Sequence, residues 1–202
     1  MITIVDYGVG NISAVGNIYK RLNVPFQVAR TPQQVLEAQR LILPGVGAFD
    51  WTMTRLEDSG LRPALDQAVL SQHKPVLGIC VGMQLMAKRS DEGVLPGLGW
   101  IDAEVRKFDN KSQQLFLPHM GWNDVAPRGE AALFRNIGTT GRFYFLHSYY
   151  FAPTDRSTVL SYTNYGGEFA SSVNAGNVYG VQFHPEKSHQ WGIQLLKNFA
   201  EL

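Results

Sequence analysis

Cys80, the one cysteine of this 202-residue chain, lies in Gly78-Ile79-Cys80-Val81-Gly82-Met83-Gln84, where a short apolar run enters a glycine-flanked turn and then a helix-compatible segment. In a nucleophile elbow the reactive residue occupies a strained strand-to-helix turn, and the positions two before and two after must be small so that strand and helix can approach. Gly78 and Gly82 meet that requirement. The spacing therefore favours a reactive thiol over the buried structural role that lone cysteines more often have.

A thiol nucleophile needs a base, and the base needs an orienting group. Val181-Gln182-Phe183-His184-Pro185-Glu186 supplies both. Residues two apart on an extended chain share a face, and Pro185 biases His184 toward that conformation. The set Cys80, His184 and Glu186 follows: Glu186 holds the imidazole tautomer, while His184 takes the thiol proton and delivers it to a leaving nitrogen. Pro44-Gly45-Val46-Gly47 follows an apolar run at 40–43 and offers unencumbered backbone N–H groups. With the N–H of Val81 these would form an oxyanion hole, an ordinary turn being the alternative. Gly45 and Gly47 would also let that loop reorient when a partner is occupied.

The elements that must position these groups fall into two halves. Ile2–Val5, a helix at 11–22, Phe26–Ala29, strands at 40–43 and 76–79 and a helical stretch at 61–71 read as an α/β unit with a parallel sheet covered by helices. The runs at 100–108, 143–151, 158–164, 169–174 and 178–183 are rich in β-branched and aromatic residues and predict an additional antiparallel region, with a hairpin turn at 174–177. A closing helix carries Trp191, Leu195, Phe199 and Leu202 as a core-facing stripe. Asp6-Tyr7-Gly8-Val9-Gly10-Asn11 has a Gly-x-Gly, but Ser13 stands where a dinucleotide fingerprint needs its third glycine, and no acidic residue follows at ribose distance.

Composition sets further bounds. The length fits one domain spanning 1–202, and a formal charge of +1 gives no basic face for nucleic acid. One cysteine forms no internal disulfide, the start shows no secretory leader, and no run is apolar enough to span a membrane, so the expected location is the cytoplasm. The histidines at 73, 119, 147, 184 and 189 are scattered and predict no metal site.

Taken together, these stretches resemble the triad (class I) glutamine amidotransferases over essentially the whole chain. Val81 stands where the family frequently has leucine, an exchange that alters only a packing contact. The loops 6–11 and 44–47, together with Pro118-His119-Met120-Gly121-Trp122-Asn123, His147-Ser148-Tyr149 and Glu186-Lys187-Ser188, narrow the resemblance to glutaminase subunits that serve a cyclase in histidine biosynthesis.

The resemblance implies a flavodoxin-like fold and hydrolysis of L-glutamine to glutamate and ammonia through a thioester on Cys80, without a cofactor. It assigns the substrate's α-amino and α-carboxyl groups to Gln84, Glu92 and the Ser148-Tyr149 backbone. It also implies a heterodimer with a (βα)8-barrel cyclase that makes imidazole glycerol phosphate and an aminoimidazole carboxamide nucleotide, with Met120, Trp122, Tyr144 and Lys187 at the contact. Without the family, Gln84 reads equally as a helix-surface amide, Glu92 as a solvated loop charge, and Trp122 and Tyr144 as core aromatics. The remaining alternatives are a triad amidotransferase serving another synthase, a cysteine peptidase, and a non-catalytic partner-binding homologue.

Overall fold

A computed structural model describes residues 1–109 and 115–202. The first half is β1 (Ile2–Val5), α1 (Ile12–Arg21), β2 (Phe26–Ala29), α2 (Pro32–Leu36), β3 (Arg40–Gly45), α3 (Phe49–Asp58), α4 (Arg62–Asp66, continued by a π-helical turn Gln67–Ser71), β4 (Val76–Cys80) and α5 (Val81–Gln84). There follow β5 (Arg89–Ser90), β6 (Ala103–Lys107), β7 (His119–Pro127), β8 (Gly141–His147), β9 (Tyr149–Pro153), β10 (Val159–Asn164), β11 (Glu168–Ala175), β12 (Val178–Val181) and α6 (His189–Ala200).

Nine strands make one mixed sheet in the order β2-β1-β3-β4-β12-β11-β10-β7-β8, while β5, β6 and β9 form a smaller sheet. From β2 to β12 the neighbours run parallel, and from β12 onward they run antiparallel. The sequence explains the division. Every residue of β1 and β4 is buried, as expected for strands covered on both faces. β8 alternates, with Phe143, Phe145 and His147 inward and Arg142 and Leu146 outward. The helices flank the sheet, with α1 packed on α6 and α2 on α4; Tyr19 of α1 donates to the Leu196 carbonyl at 3.1 Å. Leu195 and Phe199 are fully buried, whereas Trp191 and Leu202 are only partly so, and Leu202 lies beyond the end of α6.

Two expectations need correction. The run 143–151 is not one strand: it breaks at Ser148, leaving β8 in the large sheet and β9 in the small one. β3 continues through Pro44 and Gly45, so Gly45 is a strand residue paired with Cys80 rather than part of a mobile loop. β7 and α3, which carry much of the site's surroundings, have no counterpart in the sequence reading.

Candidate active site

Cys80 ends β4 with φ +55°, a left-handed conformation that a non-glycine residue adopts only where its surroundings hold it there. Three glycines allow it. A Cβ on Gly82 would run into the Leu43 carbonyl oxygen, one on Gly45 into the Gly82 nitrogen, and one on Gly78 into the backbone of Gly82 and Met83. Gly45 therefore serves the elbow by letting β3 pass close beneath it. It does not line the cleft, so the structure separates it from its expected oxyanion role and from loop reorientation.

The cleft above Cys80 has a volume of about 360 Å³ and brings together Val46, Gly47, Val81, Gln84, Glu92, Ser148, Tyr149, His184 and Lys187. On one side His184 shares the cleft with Cys80, near enough for the sulfur to shift the imidazole's pKa. On the other, its Nδ1 lies 2.9 Å from Glu186 Oε1, both side chains being almost completely buried. The His184 backbone is pinned to β8: its N–H donates to the Tyr144 carbonyl at 2.8 Å, and its carbonyl accepts from Ser188 Oγ at 2.6 Å. Burial by itself lowers the His184 pKa, but the hydrogen bond and charge of Cys80 and the adjoining Glu186 outweigh it and raise the value to about 10. The carboxylate of Glu186 and the neighbouring sulfur thus both favour the protonated imidazole.

Val46 and Gly47 rim the cleft, and their carbonyl side is tied to α3. Thr52 Oγ1 is 2.9 Å from both Val46 O and Ala48 O. Ala48 O already accepts the Thr52 N–H at 3.0 Å, so the hydroxyl proton is best used on Val46. Tyr7 donates to the Pro44 carbonyl at 2.5 Å, so the 6–11 loop braces this strand. Glu92 is no solvated loop charge: its carboxylate accepts the Phe49 N–H at 2.9 Å, and burial raises its pKa. Asp50 returns the contact, accepting from Val94 and Leu95 N–H at 2.9 and 3.1 Å.

Gln84 is no surface amide either; it is 2% exposed and donates to the Tyr149 carbonyl at 3.1 Å and to Gln182 Oε1 at 3.0 Å. Trp122 and Met120, 40% and 66% exposed, are not core residues. They project from β7 opposite Tyr144 and Leu146 of β8. Lys187 Nζ sits 5.4 Å from the Tyr144 ring centroid. Leu146 of the lining, with Thr52 and Gln182 behind it, was given no role from the sequence, and His147, offered there only within His147-Ser148-Tyr149, lines the cleft as well. Only His147, in a strand of alternating aromatics, left a signal there. Among the described residues no cluster of three or more His, Cys, Asp or Glu could hold a metal ion, and no helix is long and apolar enough to cross a membrane.

A left-handed cysteine on an elbow, with a His-Glu pair just beyond the end of the adjoining strand, is the kind of arrangement that thiol-dependent acyl transfer requires. The chain belongs to the glutamine amidotransferase class-I family, whose model matches residues 3–202. Over its whole length, and the whole of theirs, it is 55% identical to the imidazole glycerol phosphate synthase subunit HisH of Bdellovibrio bacteriovorus and 47% identical to that of Leptospira borgpetersenii. Among solved structures, a glutamine amidotransferase superposes with TM-score 0.75 at 18% identity, covering 100% of this chain and 99% of that one. A putative GMP synthase subunit from Thermoplasma acidophilum gives 0.74 at 19% identity, covering 99% and 92%. At that identity these two speak for the fold alone.

Proposed function

We propose that this chain, as one domain spanning 1–202, is the glutaminase subunit of an imidazole glycerol phosphate synthase. Working in the cytoplasm, it would supply ammonia to a (βα)8-barrel cyclase partner for histidine biosynthesis. The observation that carries the reading is the meeting of Cys80 and His184 in one cleft, with Glu186 behind the imidazole and with Leu146 of the lining continuing into the exposed apolar residues Met120 and Trp122 of β7. Full-length relatives named as subunits of that synthase support it.

Cys80 Sγ attacks the side-chain amide carbon of glutamine, and the carbonyl electron pair moves onto oxygen. The Val81 N–H and an N–H of the Val46-Gly47 segment stabilise that oxyanion. The His184 imidazolium gives its proton to the amide nitrogen, the C–N bond breaks, and ammonia leaves. Neutral His184 then takes a proton from water, whose oxygen attacks the thioester, and glutamate departs as the sulfur regains its electron pair. Glu92 and the Gln84 side-chain oxygen, the end its two N–H bonds leave free, receive the substrate ammonium, and the Ser148-Tyr149 backbone holds the carboxylate end. The partner docks over Met120, Trp122, Tyr144 and Lys187, where ammonia is sheltered from bulk water.

Glutamate release from glutamine, measured with and without the cyclase and its nucleotide substrate, tests this reading. Turnover that rises in the loaded complex, forms imidazole glycerol phosphate and disappears in Cys80→Ala is expected. Absence of turnover in every combination, or its retention in Cys80→Ala, would overturn the assignment.

A further inference from the structure

Gln182 follows β12 and is fully buried, with its backbone N–H donating to the Ser171 carbonyl at 2.9 Å. It does not line the cleft. Its Nε2 lies 3.8 Å from Cys80 Sγ, and its Oε1 lies 3.0 Å from Gln84 Nε2. The two ends of a primary amide have nearly the same shape, so the direction each faces is set by its partners.

Here the partners settle it from the outside inward. The Tyr149 carbonyl can only accept, and it takes Gln84 Nε2 at 3.1 Å as well as His147 Nδ1 at 2.8 Å. The NH2 of Gln84 is therefore the end turned inward, and its second proton points at Gln182. Gln182 must answer with its oxygen, which leaves its own NH2 facing the sulfur. The neighbouring acceptor, Leu146 O at 4.0 Å, can serve only a protonated thiol.

Taking Cys80 as the nucleophile, as the proposed function does, we propose that Gln182 is a further catalytic residue. Its amide N–H donates to the Cys80 thiolate from the core side, and Gln84 is the positioning residue that keeps that amide turned. When the thiol ionises, its proton passes to His184 and the S–H electron pair stays on sulfur; Gln182 loses no proton and lends a donor to the new charge. Hydrogen bonds to charged acceptors are roughly twice as strong as neutral ones, so the contact strengthens when the thiolate forms. It relaxes when the sulfur pair enters the C–S bond, and it returns when the thioester is cleaved. One donor thus assists sulfur both as attacking and as leaving group.

The test is the pH dependence of iodoacetamide alkylation of the full chain, in which Cys80 is the one thiol. In Gln182→Met, which conserves volume and removes the donor, the pH of half-maximal alkylation should rise by about one unit while the limiting rate at high pH stays within about twofold of wild type. Gln84→Met, which frees the Gln182 amide to turn, should shift it in the same direction by less. If Gln182→Met fails to fold by near-ultraviolet circular dichroism, Gln182→Asn, whose shorter side chain withdraws the donor, carries the same expectation. An unchanged midpoint, or a rate lowered equally at every pH as misplacement of the sulfur would cause, overturns the inference. Alkylation needs no glutamine, so loss of the proposed function would show as absent wild-type turnover and not in this readout.

Discussion

His119 and His147 meet edge to edge, with His119 Nδ1 3.0 Å from His147 Nε2. Asn123 Nδ2 approaches His119 Nε2 at 3.1 Å, and the Tyr149 carbonyl lies 2.8 Å from His147 Nδ1. A donor at one end and an acceptor at the other fix one neutral tautomer for each ring, so every ring nitrogen is used once. Burial lowers His119 from 6.5 to about 4 and His147 to about 3. Below about pH 6.5 the unfolded chain therefore binds protons that the folded chain refuses, and stability falls by up to about 1.4 kcal/mol per pH unit for each histidine as pH drops toward those values. His184 acts in the opposite sense. Its raised value of about 10 gives stability that is complete below 6.5 and is lost as pH rises through 10. Urea midpoints should peak near neutrality, and the acid slope should shrink in His147→Gln. An acid slope equal in variant and wild type would contradict the neutral pair.

Glu186→Gln keeps the shape of the side chain beside His184 but removes the charge that steadies the imidazolium. Turnover of glutamine should fall on the order of a thousandfold, with KM changed only a few-fold, by analogy with triads deprived of their carboxylate. Steady-state kinetics on the partner complex checks this. A loss under tenfold would remove Glu186 from the triad.

Trp122 stacks on His189 at 5.0 Å between centroids and stands edge-on to Tyr144 at 6.2 Å, a supported aromatic with 40% of its surface open. Such residues anchor interfaces. Trp122→Ala should weaken cyclase binding by about 2 kcal/mol, roughly thirtyfold in Kd, while leaving iodoacetamide alkylation of Cys80 at the wild-type rate. Calorimetric titration of the two proteins reads the first and mass spectrometry the second. An unchanged Kd would move the docking face elsewhere.

Much of the candidate site was legible because it is local. Gly78, Cys80 and Gly82 declare the elbow by spacing, and Pro185 places His184 and Glu186 on one side of a short extended segment. The apolar runs of the parallel half were equally plain. β7 was hidden because His119-Met120-Gly121-Trp122-Asn123-Asp124 mixes strand formers with residues that usually mark turns, and because its large apolar residues point outward. α3 begins at Ala48 without a side-chain cap, so its start carries no signal. The break at Ser148 was invisible because burial alternates through Phe143, Phe145 and His147 and resumes at Phe151, keeping step although the strand changes sheets. Gln182 acquires its partners Cys80 and Gln84 only through tertiary contact, and no spacing along the chain announces that.

β12 lies between β4 and β11, parallel to one and antiparallel to the other, and it leads directly to His184 while β4 ends at Cys80. During synthesis the thiol therefore leaves the ribosome long before the strand that brings its base. A chain that stopped before β12 would carry the Cys80 turn without His184, so the last strand in sequence is the one that completes the pair.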